Sequence, residues 1–263
     1  MVDGTMERDG ATLSYEVAEG ERPTVVQLHG LSSSRAGEAA AGYFDWSPVR
    51  DAGRRLVRYD ARGHGRSTGR AEAADWAWPR LADDLLALLD VVAPGETVDA
   101  IGVSMGVGTL LHAVALQPDR FRRLVLVIPP TAWATRAAQA DGYRQMAALV
   151  EEQGYDALVR AMAAFGTLPL LEEGGWTTAP APDIAPELLP TVFRGAAATD
   201  LPSPDTIAGI LQPVLLRPWA GDPGHPVSTS ELLHGLLPDS TLEIMSTPED
   251  LHSLGGRVAE FLR

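Results

Sequence analysis

The chain has 263 residues, enough to bury a sizeable core, and an α/β sheet of this length commonly forms one domain. It contains neither Cys nor Lys, which excludes disulfides, thiolate nucleophiles, thiolate metal ligands and lysine Schiff-base chemistry. A formal charge of −14 repels phosphate backbones and anionic lipid heads, so neither nucleic acid nor a membrane is an expected partner.

Met1 to Gly10 lacks the apolar centre of a secretory signal, and no apolar run approaches membrane-spanning length; a cytoplasmic protein is the expectation. Residues 5–20 read as two strands turning at Asp9-Gly10, because Asp-Gly supplies the positive φ of a tight hairpin. That hairpin is expected at an antiparallel sheet edge. Apolar runs at 23–30, 54–62, 97–104 and 122–130 predict buried parallel strands separated by helices. Between Trp78 and Val92, Leu81, Leu85, Leu88 and Leu89 share one face, the spacing of a helix packed on a sheet.

After Pro130 the pattern changes. Ala-rich helical stretches carrying Tyr143, Met146, Leu149, Leu158 and Met162 give way to a Pro- and Gly-rich segment through about residue 190, with no strand signal. Strands resume at 213–221 and 240–245, each followed by a helical segment, the first ending near Leu237 and the second near Arg263. The alternation predicts an α/β fold, a mostly parallel twisted sheet with helices on both faces. Its core is expected at 1–130 and 207–263, with a helical cap inserted at 131–206.

Gly102-Val103-Ser104-Met105-Gly106 lies where a strand passes into a helix, the context that a G-x-S-x-G nucleophile elbow requires. A serine on so sharp a turn needs strained backbone angles and close approach of neighbouring chain, which side chains at Gly102 and Gly106 would obstruct. His29-Gly30-Leu31-Ser32 leaves the end of an earlier strand, and ligands of open α/β sheets sit at such carboxyl ends. The amides of Leu31 and Met105 are therefore the candidate oxyanion donors. His29 reads as structural, because its own loop turns away, and Ser32, Ser33 and Ser34 read as loop hydrogen-bonders.

These residues, together with Asp60-Ala61-Arg62-Gly63-His64-Gly65-Arg66-Ser67, resemble the α/β-hydrolase superfamily and its esterase, lactonase and haloperoxidase-like branch. His29-Gly30 is similar to the oxyanion loop, Asp60 to Ser67 to the D-x-R-G-H-G-x-S block, and Gly102 to Gly106 to the elbow. The resemblance spans nearly the whole chain and weakens at 131–206, where family caps vary most. It implies Ser104 as nucleophile and the chain order Ser, acid, His. Asp222, in Gly221-Asp222-Pro223-Gly224-His225-Pro226, then falls in the acid loop, and His252, after the last strand, in the place of the base. The alternative acid position after strand 122–130 offers no carboxylate. Asp60, Arg62 and His64 read as turn and packing residues, Glu249 and Asp250 as loop charges, and His112 and His234 as ordinary helical histidines. His225, before Pro226 near a helix start, has a claim to line the pocket.

The expected function is hydrolysis of a carboxylic ester or lactone of a small, partly apolar substrate through an acyl-enzyme, without metal or organic cofactor. Serine at the elbow argues against haloalkane dehalogenase or epoxide hydrolase, whose family members place Asp there. Carbon–carbon bond hydrolysis, acyl transfer and cofactor-free perhydrolysis use the same triad, and a hydrolase-fold ligand sensor is the reading from another class. Trp133, Phe165, Leu168, Leu170, Leu171, Trp176 and Phe193 are candidates for an apolar inner face of the cap or for its packing. The oligomeric state is left open.

Overall fold

The computed structural model of the protein describes residues 1–177 and 180–263; residues 178 and 179, in the Pro- and Gly-rich stretch, lie outside it. Eight strands form one sheet: β1 Val2–Arg8, β2 Ala11–Ala18, β3 Glu21–Leu28, β4 Arg54–Tyr59, β5 Val98–Val103, β6 Phe121–Val127, β7 Val214–Arg217 and β8 Ser240–Leu242. Their order is β1-β2-β4-β3-β5-β6-β7-β8. The hairpin β1–β2 turns at Asp9-Gly10 and pairs antiparallel onto β4, and every other pairing is parallel. This is the expected α/β architecture, a mostly parallel sheet with an antiparallel hairpin at one edge.

Strand pleating divides the core. Val26, Leu28, Ala100, Leu124, Leu126, Val214 and Leu216 point to one face, against helices Trp78–Val92 and Met105–Leu116. Their sequence neighbours Val25, Ile101, Val103, Val125, Val127 and Leu215 point to the other, against Val49 and helix Leu254–Phe261. Leu81, Leu85, Leu88 and Leu89 are all buried, each removal from water stabilising the fold by about 1.5–3 kcal/mol. Arg62 is buried with them. It forks onto Asp84 at 2.9 and 3.0 Å, reaches Asp75 at 3.1 Å and donates to the Asp9 carbonyl at 2.8 Å, so one guanidinium joins the hairpin turn to helix Trp78–Val92.

The strands end earlier than their apolar runs. β7 stops at Arg217 and β8 at Leu242, after which only an isolated Trp219–Met245 bridge continues the ladder. Beyond those points the apolar residues fill the loops at the rim.

Between β6 and β7 lie helices Arg136–Gln153, Tyr155–Ala164, Pro169–Glu173, Leu189–Ala197 and Pro204–Ala208. Ala147, Val150, Leu158, Leu189, Val192 and Phe193 form a third apolar cluster that closes over Trp76. Arg136 ties it to helix Trp78–Val92, its guanidinium 4.5 Å from the Trp78 ring centroid, while its Nε donates to the Thr199 carbonyl within the same segment at 2.8 Å. Among the described residues, no helix is long and apolar enough to cross a membrane.

Candidate active site

Among the described residues, four other than glycine have positive φ: Ser32, Ser104, Ile128 and Trp133, at 65°, 50°, 43° and 48°. They follow the carboxyl ends of β3, β5 and β6, so strain is concentrated on one rim of the sheet. Ser104 sits where β5 meets helix Met105–Leu116. A Cβ on Gly102 would come within 2.6 Å of the Gly106 carbonyl oxygen, and one on Gly106 within 2.5 Å of the Leu28 carbonyl oxygen. Only glycine at both positions lets the strand, the turn and the helix approach this closely.

Ser104 Oγ donates to His225 Nε2 at 2.7 Å, and His225 Nδ1 donates to Asp222 Oδ2 at 2.7 Å. The loop that holds this pair is wound on itself: Asp222 Oδ1 accepts the Gly224 amide at 2.8 Å and the His225 amide at 3.3 Å. One carboxylate oxygen thus closes the turn while the other faces the imidazole. Burial alone would raise the Asp222 carboxyl, but the His225 hydrogen bond and charge and the two backbone amides hold it below the ordinary carboxylate range.

His252 is not where the sequence order suggested. It ends the short helix Pro248–His252, is exposed, and packs its ring 4.9 Å from that of Trp176; the histidine beside Ser104 is His225. The reason is local. Thr247 and Asp250 form a capping box that commits the chain to helix immediately before His252, whereas the turn at Asp222 delivers its own histidine three residues later. Sequence reasoning gave His225 only a place in the pocket wall. The missed signal is Asp-Pro-Gly-His, an acid able to cap a turn that ends on an imidazole.

Leu31 and Met105 lie where the sequence placed them, after β3 and β5. These strands are adjacent and parallel with Leu28 opposite Gly102, and a Cβ on Gly30 would lie 3.6 Å from Ser104 Cβ. Neither amide has an intramolecular acceptor among the described residues. His29 is fully engaged with backbone: Nε2 accepts the Ala61 amide at 2.9 Å, leaving Nδ1 to donate to the Gly30 carbonyl at 2.8 Å. Burial pushes His29 below its ordinary pKa and His64, 5.2 Å away, down to about 3, so both rings stay neutral. Asp60 binds the Arg35 and Arg66 amides at 2.9 and 3.1 Å, a loop-bracing role. His112 donates to the Asp200 carbonyl, and His234 pairs with Ser240, both away from Ser104.

The apolar residues of 131–206 do not share one inner face. Phe193 is buried in the third cluster, Leu170 and Leu171 join the sheet's second cluster, and Phe165 is 86% exposed. Trp133 packs on the first cluster, its backbone N–H held by the Asp200 carboxylate at 3.0 Å and its indole N–H by the Pro202 carbonyl at 3.1 Å. Among the described residues, no group of three or more His, Asp or Glu side chains is arranged to hold a metal ion. A separate cavity of about 730 Å³ opens beside β2 and β4; its wall includes Arg35, Glu38, Trp46 and Arg58 and none of Ser104, Asp222 or His225.

A family model described as alpha/beta hydrolase fold matches residues 23–247, and the chain belongs to this family. It is 32% identical over 117 residues to an sn-1-specific diacylglycerol lipase, ABHD11, of Mus musculus, and 30% identical over 126 residues to an epoxide hydrolase of Caballeronia sordidicola. The alignments cover 44% and 45% of this chain but only 36% of each relative. A hydrolase from Pseudomonas aeruginosa PA01 superposes with a TM-score of 0.79 at 24% identity, covering 99% of this chain and 98% of that one. That likeness is one of fold.

Proposed function

We propose that the protein is a serine hydrolase of carboxylic ester or lactone bonds in a small, partly apolar substrate, with Ser104, His225 and Asp222 as its catalytic triad. The carrying observation is the continuous hydrogen-bonded line from Ser104 Oγ through His225 to Asp222, both links 2.7 Å, on an elbow held at φ 50°. His225 takes the serine proton as Oγ attacks the carbonyl carbon, and the Asp222 carboxylate holds the tautomer and stabilises the imidazolium. The Leu31 and Met105 amides receive the oxyanion. His225 then returns the proton to the departing alcohol, and water repeats the sequence on the acyl-enzyme. The segment 131–206 acts as a cap that excludes water and selects the substrate.

The partial likeness to a diacylglycerol lipase supports ester chemistry. The likeness to an epoxide hydrolase supports only the family. Serine opening an epoxide would leave an ether, which has no carbonyl for water to attack, and turnover would stop at that adduct. With a formal charge of −14, a small-molecule substrate in the cytoplasm suits the chain better than a nucleic acid.

A fluorophosphonate should label Ser104 stoichiometrically, and short-chain aryl esters or lactones should be turned over repeatedly. Ser104→Ala should abolish labelling and lower kcat by about six orders of magnitude if it behaves as triad serines do elsewhere. Label found on Ser32, Ser33 or Ser34, or substantial hydrolysis by a folded Ser104→Ala, would rule the reading out.

A further inference from the structure

The oxyanion loop is held from the segment between β6 and β7. Ser32, although not glycine, stands at φ 65°, and its carbonyl accepts the backbone N–H of Asp183 at 2.9 Å. The Asp183 carbonyl in turn accepts the Gly65 amide at 2.8 Å, and the neighbouring His64 and Ile184 form an antiparallel bridge. The Asp183 carboxylate accepts Ser34 Oγ–H at 2.5 Å, while the same Oγ accepts the Gly37 amide at 2.9 Å and caps helix Arg35–Ala41. One residue before, the Pro182 carbonyl accepts the Tyr155 hydroxyl at 3.1 Å, so this strap is tied to helix Tyr155–Ala164.

Peptide geometry carries the clamp to the site. In a trans peptide, C=O and the next N–H point in opposite directions. Asp183 N–H fixes the Ser32 carbonyl, which fixes the Ser33 N–H on the far side of that peptide. Ser33 N–H donates to the Gly30 carbonyl at 3.2 Å, and the N–H sharing the Gly30 peptide is that of Leu31. Two peptide units in series thus run from Asp183 to the proposed oxyanion donor, and hydrogen bonds in such chains polarise one another. From the other side, the Leu31 side chain packs against both the sheet's first cluster and the third cluster of the inserted helices.

We propose that Asp183 is a positioning residue for the oxyanion hole: its clamp on Ser32 and Ser34 aims the Leu31 N–H, coupling the inserted segment to transition-state binding. This rests on the serine-hydrolase reading above. Asp183 touches no reacting atom. Its loss therefore weakens stabilisation of the tetrahedral state and leaves ground-state binding intact.

The test compares Asp183→Ala, Asp183→Asn and Ser34→Ala on an aryl ester and on fluorophosphonate labelling of Ser104, each below its melting temperature. Asp183→Ala keeps the backbone N–H but removes the carboxylate bond to Ser34 that holds it against the Ser32 carbonyl, so it should lower kcat by about tenfold, less than the 10²–10³ lost when an oxyanion donor itself is removed, with KM within about twofold. The labelling rate should fall by the same factor. Asp183→Asn keeps an acceptor for Ser34 and should restore most of kcat; Ser34→Ala, which breaks the link from the other end, should resemble Asp183→Ala. An unchanged kcat and labelling rate in Asp183→Ala and Ser34→Ala, a change confined to KM, or an Asp183→Asn no better than Asp183→Ala would overturn the inference. Failure of the unsubstituted protein to label at Ser104 would instead bring down the serine-hydrolase reading, and this inference with it.

Discussion

Asp222 and His225 are three residues apart in one turn, so the proposed acid and base are positioned by a single short loop. The turn that Asp222 caps through the Gly224 and His225 amides also sets the imidazole. His225→Ala should therefore lower kcat by about 10⁴- to 10⁶-fold, and Asp222→Asn by about four orders of magnitude, as in other Ser-His-Asp sites. His252→Ala, which removes an exposed ring stacked on Trp176, should leave kcat near its starting value. Steady-state kinetics on one aryl ester decides the matter, and a collapse in His252→Ala with His225→Ala unaffected would reverse the assignment. The turn at Ser104 was legible because so tight a passage from strand to helix demands glycines at fixed offsets. The histidine was not, because chain order ranks histidines by position, and which imidazole reaches Oγ depends on how two short loops turn.

At the scale of elements, the contact between β5, the elbow and helix Met105–Leu116 leaves no room for a methyl group. Gly106→Ala drives a Cβ into the Leu28 carbonyl, a backbone atom of the adjacent strand that cannot swing aside. It should cost about 3 kcal/mol and lower the melting temperature by roughly 5–10 °C. Gly256, by contrast, is exposed in helix Leu254–Phe261 with nothing near its missing Cβ, so Gly256→Ala should stabilise by about 0.5–1 kcal/mol. Calorimetry on the two variants tests the contrast, and equal effects would show that the elbow is less tightly packed than drawn. Elements with a strong period were legible: helix Trp78–Val92 has the bounds its leucines indicated, and the hairpin turns at Asp9-Gly10. Strand ends were not, because hydrophobicity continues into the rim loops after the ladder stops. The short helices Arg35–Ala41 and Ser47–Asp51 are too short to show a period; the first is started by the Ser34 cap, the second by Pro48 in its first turn and the burial of Val49.

For the molecule as a whole, the clearest titrating liability is Glu38, buried at the wall of the cavity beside β2 and β4. Burial pushes its carboxyl from an ordinary 4.5 up to about 7, despite the Arg58 charge and the hydrogen bonds from Trp46 and Gln27. Between these two values the folded chain keeps a proton that the unfolded chain has released. Its contribution is therefore most favourable below about pH 4.5 and declines as pH rises to about 7, by about 3 kcal/mol in all. Glu38→Gln keeps an acceptor and removes the titration. Relative to the unsubstituted protein it should gain stability steadily between about pH 5 and pH 7 and hold that gain above. Urea unfolding across this range measures the difference, and a difference independent of pH would refute the assignment.

The two free sides of the sheet also differ from each other. β8 has three residues, too short for another chain to pair along, and β1 carries Asp3 and Glu7 on one exposed face, with Asp3 drawn toward Arg66 at 3.2 Å. A strand arriving from a second molecule would find almost no ladder at one border and would have to desolvate carboxylates at the other. The eight-stranded sheet is bounded by brevity on one side and by charge on the other, and neither border is a template for fibril growth.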